Sequence, residues 1–153
     1  MEDQTLARVQ TYLAHQPDVV ASYLFGSAAA GLDHAQSDVD IAVLLPETVT
    51  GLAAFEVQLR VMGDLEHICC RPVDVVILNN ASPMLCFQVF EHGQLLTERD
   101  RKERALFEMR ARNLYYDFKP YHDLQILQFT RRLREKGLGY GYRPHLGASA
   151  KIG

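Results

Sequence analysis

Three short apolar runs, each bordered by small or acidic residues, limit the folds open to this chain more than any other feature. They are Val19–Phe25, Asp38–Leu45 and Val73–Leu78, and each has the length and the β-branched content of a buried strand. Helical periodicity separates them, as in residues 3–15 and 51–69. Strands that alternate with helices predict an α/β fold, in which helices cover a sheet.

Apolar spacing, caps and prolines predict the remaining helices. The helix over 51–69 is predicted from the spacing of five apolar side chains: Leu52, Phe55, Leu59, Met62 and Leu65. Ser82, followed by a proline, is typical of a helix start, and residues 94–97 have the composition of a short strand. From residue 100 the pattern is helical to about Phe118, and Pro120 predicts a break before a second helix.

The length of 153 residues fits one compact domain. Residues 1–98 hold 3 Lys and Arg against 13 Asp and Glu, whereas residues 99–153 hold 13 against 6. We therefore expect an acidic core over 1–98, basic helices over 99–136 that pack on the core or dock a partner, and a flexible tail over 137–153. The basic charge of these helices is equally explained if they form a solvated face, or if the acidic half of the chain neutralises them. Their aromatic residues form no RNA-binding motif, and nucleic-acid binding is not expected as the main role.

Cysteine and histidine spacing offers no zinc or disulfide framework. Cys69, Cys70 and Cys86 are not spaced as metal ligands and are expected to be core or half-buried thiols in a reducing compartment, and the six histidines are scattered. No apolar run approaches the roughly 20 residues that span a bilayer, and the first residues lack the pattern of a signal peptide. The expected compartment is the cytoplasm.

Three carboxylates border the predicted strands. Asp38 and Asp40 open one strand, and Asp74 lies near the start of another. Residues i and i+2 of a strand share a face, so Asp38 and Asp40 can converge on hard cations with Asp74 as a third ligand. Oxygen-only ligands favour Mg²⁺ or Mn²⁺ over zinc, and two such ions suit phosphoryl-type transfer.

Gly26 and Ser27 follow the first strand directly. A residue without a Cβ lets backbone N–H groups approach a phosphate closely, and the Ser27 hydroxyl can hold a terminal phosphate. The sequence thus predicts a nucleotide-binding turn at Gly26 and Ser27, and a metal-binding and catalytic set at Asp38, Asp40 and Asp74.

Gly26-Ser27, ten residues and then Asp38-Val39-Asp40, with Asp74 beyond, resembles the signature of the polymerase-β-like nucleotidyltransferase superfamily. The resemblance covers about residues 19–80 and implies that superfamily's fold, a small mixed sheet flanked by helices with a C-terminal helical extension. The short chain and the run Arg110–Phe118 look like a minimal nucleotidyltransferase (MNT) antitoxin. That resemblance implies transfer of AMP from ATP, with Mg²⁺, to a tyrosine hydroxyl of a HEPN-type ribonuclease toxin, in a stable complex that silences the toxin.

One position departs from the resemblance, and two other functions stay open. Many relatives carry arginine where this chain has Ala30, so a phosphate or structural contact is missing. A non-catalytic antitoxin that blocks its toxin sterically has the same fold. So does a small-molecule nucleotidyltransferase, such as one acting on aminoglycosides, although little chain remains here to enclose a small acceptor.

Overall fold

The computed structural model describes residues 1–29, 31 and 37–136. The helices are α1 Asp3–Ala14, α2 Gly26–Ala29, α3 Gly51–Cys69, α4 Pro83–His92 and α5 Arg101–Lys136, with a 3₁₀ turn at Leu78–Asn80. The strands are β1 Ala21–Phe25, β2 Val39–Leu44, β3 Val73–Ile77 and β4 Gln94–Glu98. Ser82 caps α4 as predicted, because its hydroxyl accepts a hydrogen bond from the Leu85 N–H.

The four strands form one mixed sheet in the order β3-β2-β1-β4. β1 is antiparallel to both β2 and β4, whereas β2 and β3 are parallel. A parallel pair needs a crossover connection, and the 19-residue helix α3 supplies it. The prediction of a small mixed sheet flanked by helices with a C-terminal helix is confirmed.

Each face of the sheet has its own hydrophobic core. Alternate β2 residues, Val39, Ile41 and Val43, pack with α1 and α3 on one face. The intervening Ala42 and Leu44 pack with α4 and the first part of α5 on the other. This period of two determines on which face each polar residue of a strand must lie.

Helix α3 forms where predicted, but most of its predicted apolar stripe faces solvent. Leu52, Phe55 and Leu59 are 72%, 52% and 46% exposed. The buried stripe consists instead of smaller residues together with one leucine: Ala54, Val57, Val61 and Leu65. Two apolar stripes run along this helix, and the one with smaller side chains lets the backbone approach the sheet closely.

The predicted break at Pro120 is wrong, since α5 runs unbroken from Arg101 to Lys136 with Pro120 inside it. Proline removes one intrahelical hydrogen bond, but its fixed φ near −65° is itself helical, so the backbone continues.

The described chain divides into two compact units at Tyr116 and Asp117. In the second unit the described apolar side chains, including Tyr121 and Leu127, are largely exposed.

Two predictions fall on other parts of the chain. Ala30 and the tail over 137–153 lie outside the residues that the structure describes. Within the described ranges, no helix has both the length and the apolar character needed to cross a membrane.

Candidate active site

The register of the sheet sets Asp74 beside Asp40. In the parallel pair β2–β3 these two residues are direct partners, and in the antiparallel pair β1–β2 Asp40 is also the partner of Phe25. Val73 and Val75, which flank Asp74, pack into the α1–α3 core, as do the neighbours of Asp40. Both carboxylates therefore lie on the opposite face, at the end of the sheet where β2 and β3 begin.

Asp38 immediately precedes β2 instead of opening it. Its side chain is exposed, as is that of Asp74, whereas Asp40 is half-buried. The structure thus brings the predicted carboxylates to one end of the sheet but gives them different environments. Ser27 is half-buried in the short helix α2, which begins directly after β1.

Gly26 has a left-handed backbone and lies against the side chain of Asp40. Its φ is +68°, in the left-handed region that favours glycine. A Cβ at this position would lie 2.2 Å from Asp40 Oδ2. A methyl group here would displace the carboxylate, so the absence of a side chain at residue 26 allows Asp40 to take its observed position.

The carboxyl group of Asp40 is electrostatically disfavoured in its charged form. Burial raises its pKa above the usual value, and the neighbouring charges of Asp74 and Asp38 raise it further. Asp74 and Asp38 therefore both lie close enough to Asp40 to oppose its negative charge. A divalent cation would relieve this repulsion and favour the ionised form of Asp40.

The donor set fits a hard divalent cation, although it is not closed around one. In the described part of the chain, no three His, Cys, Asp or Glu side chains converge as an assembled metal site. The side chains of Asp38 and Asp74 are exposed, so both have room to turn toward Asp40. The residues therefore provide oxygen ligands, of the type that Mg²⁺ and Mn²⁺ prefer, around one half-buried carboxylate.

The sequence did not reveal two contacts that hold this end of the sheet. The Val39 N–H, between the two aspartates of β2, donates to the Pro72 carbonyl at 3.0 Å. Phe25, the cross-strand partner of Asp40, is half-buried against the α4–α5 core. The position of Phe25 just before Gly26 could have predicted this pairing, because in an antiparallel pair the last residue of β1 lies beside the first residues of β2.

At the opposite end of β2 the backbone is clamped by an amide side chain. Asn79 accepts from the Leu45 N–H and donates to the Leu45 carbonyl, both at 2.9 Å. This pair of hydrogen bonds fixes β2 to the turn after β3 at the end away from the aspartates.

Much of the basic charge in the first part of α5 is neutralised by the acidic half of the chain. Arg104 pairs with Glu98, and Arg112 with Glu91. Arg110 pairs with Glu47 at 2.6 Å. These pairs support the interpretation that the two halves neutralise each other, and they leave less of this helix for an anionic partner.

The chain is similar in sequence and in fold to known proteins. The family model described as polymerase beta, nucleotidyltransferase, matches residues 7–102, a stretch that includes all five predicted site residues. The protein adenylyltransferase MntA of Shewanella oneidensis is 36% identical over 101 residues, which are 65% of this chain and 68% of that protein. The MntA of Aphanizomenon flos-aquae is 34% identical over 95 residues, 58% of this chain and 63% of that protein.

Solved structures agree with these relatives. A crystal structure of a toxin–antitoxin with AMP-PNP contains a chain 26% identical in sequence, with a TM-score of 0.67 over 85% of this chain and 99% of that chain. A tri-AMPylated Shewanella oneidensis HEPN toxin in complex with an MNT antitoxin contains one 25% identical, with a TM-score of 0.65 and the same coverage.

Proposed function

This chain belongs to the polymerase beta nucleotidyltransferase family, and on that premise we propose that it is an antitoxin that transfers AMP from ATP to a tyrosine hydroxyl of a HEPN ribonuclease toxin. The transfer silences the toxin, and the two proteins form a stable complex. The observation that carries the proposal is the in-register pair Asp40–Asp74 beside Gly26 and Ser27. The adenylyltransferase relatives and the toxin–antitoxin structures support this acceptor.

Each site residue has a distinct role in the proposed reaction. The acceptor oxygen bonds to the α-phosphorus of ATP, the bond from that phosphorus to the bridging oxygen breaks, and pyrophosphate leaves. The Ser27 hydroxyl and the backbone N–H groups at Gly26 hold the terminal phosphates. Asp74 lies on the strand farther from β1, and we assign to it the proton of the attacking hydroxyl.

Asp38, Asp40 and Asp74 would hold two Mg²⁺ ions, with Mn²⁺ as an alternative. When bound, the ions activate the attacking oxygen and neutralise charge on the leaving pyrophosphate. The missing side chain at Gly26 leaves the space that the Asp40 carboxylate occupies. Because the reaction consumes ATP, we propose the cytoplasm as its compartment.

The test incubates the full chain with labelled ATP, Mg²⁺ and its co-encoded HEPN protein. Label should appear on a tyrosine of the HEPN protein, and its RNA cleavage should stop. In the double variant Asp38→Ala, Asp40→Ala, labelling should fall by about a thousandfold, since metal charge stabilisation is worth several kcal/mol. Counting transferred groups by mass spectrometry gives the number of AMP units.

A matched control separates loss of chemistry from loss of charge. Glu56→Ala with Glu66→Ala removes two exposed acids of α3 and should leave labelling unchanged. If the Asp38, Asp40 double variant still neutralises the toxin, the antitoxin acts by steric binding. Label on a small molecule such as an aminoglycoside, and none on the HEPN protein, would reject the proposed acceptor.

A further inference from the structure

Gln58 is a half-buried polar residue of α3, a helix whose fully buried side chains are all apolar. Its side-chain amide donates a hydrogen bond to the Val75 carbonyl at 2.6 Å. Val75 lies on β3 and directly follows Asp74, the carboxylate to which the proposed function assigns the proton of the attacking hydroxyl. A polar contact from α3 thus reaches the strand one residue away from the candidate active site.

The carbonyl that Gln58 holds faces the free edge of the sheet. β3 is the outermost strand in the order β3-β2-β1-β4, so β2 is its one neighbouring strand in the part of the chain that the structure describes. In their parallel ladder the Pro72 carbonyl accepts from the Val39 N–H, and alternate residues of a strand direct their backbone groups to opposite sides. The Val75 carbonyl, three residues beyond Pro72, therefore points away from β2. Gln58 supplies the hydrogen bond that a further strand would otherwise make.

Apolar packing alone determines the position of β3 along α3 only loosely. Val73, Val75 and Ile77 lie in the same hydrophobic core as the buried face of α3, and hydrophobic contact is non-directional. A hydrogen bond, in contrast, has a preferred length and angle. The bond from Gln58 therefore restricts where one peptide group of β3 can lie, and with it the backbone of Asp74, which is the preceding residue.

We propose that Gln58 is a positioning residue for Asp74 in the nucleotidyl transfer, and that it acts through the Val75 carbonyl. The inference rests on the proposed function, from which it takes the assignment of Asp74 to the acceptor hydroxyl. In that function the phosphates of ATP are held by Gly26 and Ser27, which follow β1 on the other side of β2. Loss of the Gln58 hydrogen bond should therefore slow the transfer step and leave the KM for ATP unchanged.

Three variants of residue 58 separate the donated hydrogen bond from side-chain size and charge. Gln58→Met and Gln58→Glu cannot donate at neutral pH, although one is neutral and the other charged, whereas Gln58→Lys keeps a donor of similar reach. We expect kcat for labelling of the HEPN protein to fall about tenfold in the first two variants and less than about twofold in the third. The KM for ATP should stay within about twofold in all three. A fall of kcat in Gln58→Glu alone would assign the effect to charge and overturn the proposal.

Tyr12→Phe is the matched control for general destabilisation. Tyr12 donates to the Asp64 carboxylate at 2.6 Å, so this variant also removes one hydrogen bond of α3, but one that links α3 to α1 instead of to β3. It should lower the midpoint of chemical denaturation about as much as Gln58→Met does and keep its full kcat. An equal fall of kcat in Tyr12→Phe would show that Gln58 acts through stability alone, and the proposal would be wrong.

Hydrogen–deuterium exchange of the chain without nucleotide or toxin tests the contact independently of activity. The amides of residues 73–77 should exchange about tenfold faster in Gln58→Met than in the wild type, and no faster in Tyr12→Phe. Absence of label in the wild type together with faster exchange in Gln58→Met would reject the proposed function but not the contact. Normal labelling by the wild type with unchanged exchange in Gln58→Met would overturn the inference about Gln58 alone.

Discussion

Charges at the start of β2 and charges on the first part of α5 are arranged in opposite ways. At β2, carboxylates crowd together: burial and then the charges of Asp74 and Asp38 raise the pKa of Asp40, so folding disfavours its ionised form. On α5, the hydrogen bond with Glu91 does most to raise the pKa of Arg112, so folding favours its ionised form. Folding therefore disfavours the charged form of Asp40 at the start of β2 and favours the charged form of Arg112 on α5.

The difference separates functional from structural electrostatics within one small fold. Opposite charges that meet on α5 need nothing more, and they connect the two halves of the sequence. The like charges near β2 stay close together because the register of the sheet holds their backbone positions. Such an arrangement is common where a protein binds a cation. The cluster of like charges at β2 therefore indicates a functional site better than the arginines of α5 do, although α5 carries more charged residues.

The largest expected effect tests whether the carboxylate geometry is indispensable. Gly26→Ala places a Cβ 2.2 Å from Asp40 Oδ2. We expect the labelling rate to fall at least about a hundredfold, because misplacing a catalytic group by an ångström has that effect. The unfolding free energy should fall by about 1–2 kcal/mol from the left-handed backbone, as measured by chemical denaturation.

Gly51→Ala isolates the backbone contribution to that result. Gly51 has φ +57°, and a Cβ there would meet no atom within 4 Å. This variant should lose a similar 1–2 kcal/mol of stability and keep its full labelling rate. Equal activity in the two variants would show that contact with Asp40 is not the reason for glycine at residue 26.

A smaller effect is expected from the neutralised region. Arg112→Gln removes ion pairs with Glu91 and Glu108 and should lower the unfolding free energy by about 0.5–1 kcal/mol, less at high salt because these side chains are partly exposed. Labelling should not change. Arg101→Gln, on an exposed residue of the same helix, should stay within about 0.5 kcal/mol. A loss of labelling in Arg112→Gln alone would assign α5 a role in the reaction.

The smallest effect concerns stability at β2 in the absence of divalent ions. Since the folded-state pKa of Asp40 lies above the unfolded value, ionisation destabilises the fold above that unfolded pKa. Asp40→Asn should therefore be more stable than the wild type at pH 7, by on the order of 0.5 kcal/mol. The gain should disappear as the pH falls through the folded and then the unfolded pKa of Asp40, near pH 4 for the latter. Denaturation at several pH values measures it, and a gain that persists at pH 3 would point to packing instead of charge.

Local signals in the sequence were sufficient for most of the fold and for the candidate residues. The strands and the turn at Gly26 each follow from a few neighbouring residues, and the strand period alone put Asp40 opposite the core side chain of Val39. The register that pairs Asp40 with Asp74 was not predictable, because it depends on two segments more than thirty residues apart.

Competition between similar signals explains the two errors. Periodicity showed that α3 is a helix, but it could not choose between the stripe containing Phe55 and the one containing Val61, a choice that close packing on the sheet makes. Pro120 disfavours a helix locally, yet neighbouring residues of α5 prefer one strongly enough to continue through it. The helix propensity of a single residue is therefore a weak guide where the conformation depends on a longer segment.

Because the parallel pairing of β2 with β3 places Asp74 beside Asp40, the proposed activity also reports whether these two strands have paired in the correct register. A shift of β3 by one residue would turn Asp74 toward α3 and leave Asp40 without its partner, although nearly all helical structure could persist. Pairing across a 19-residue helix is slower to form than local helices. During refolding from denaturant, nucleotidyl transfer should therefore recover after the helical circular-dichroism signal, and the lag would report the time at which the strands lock into register.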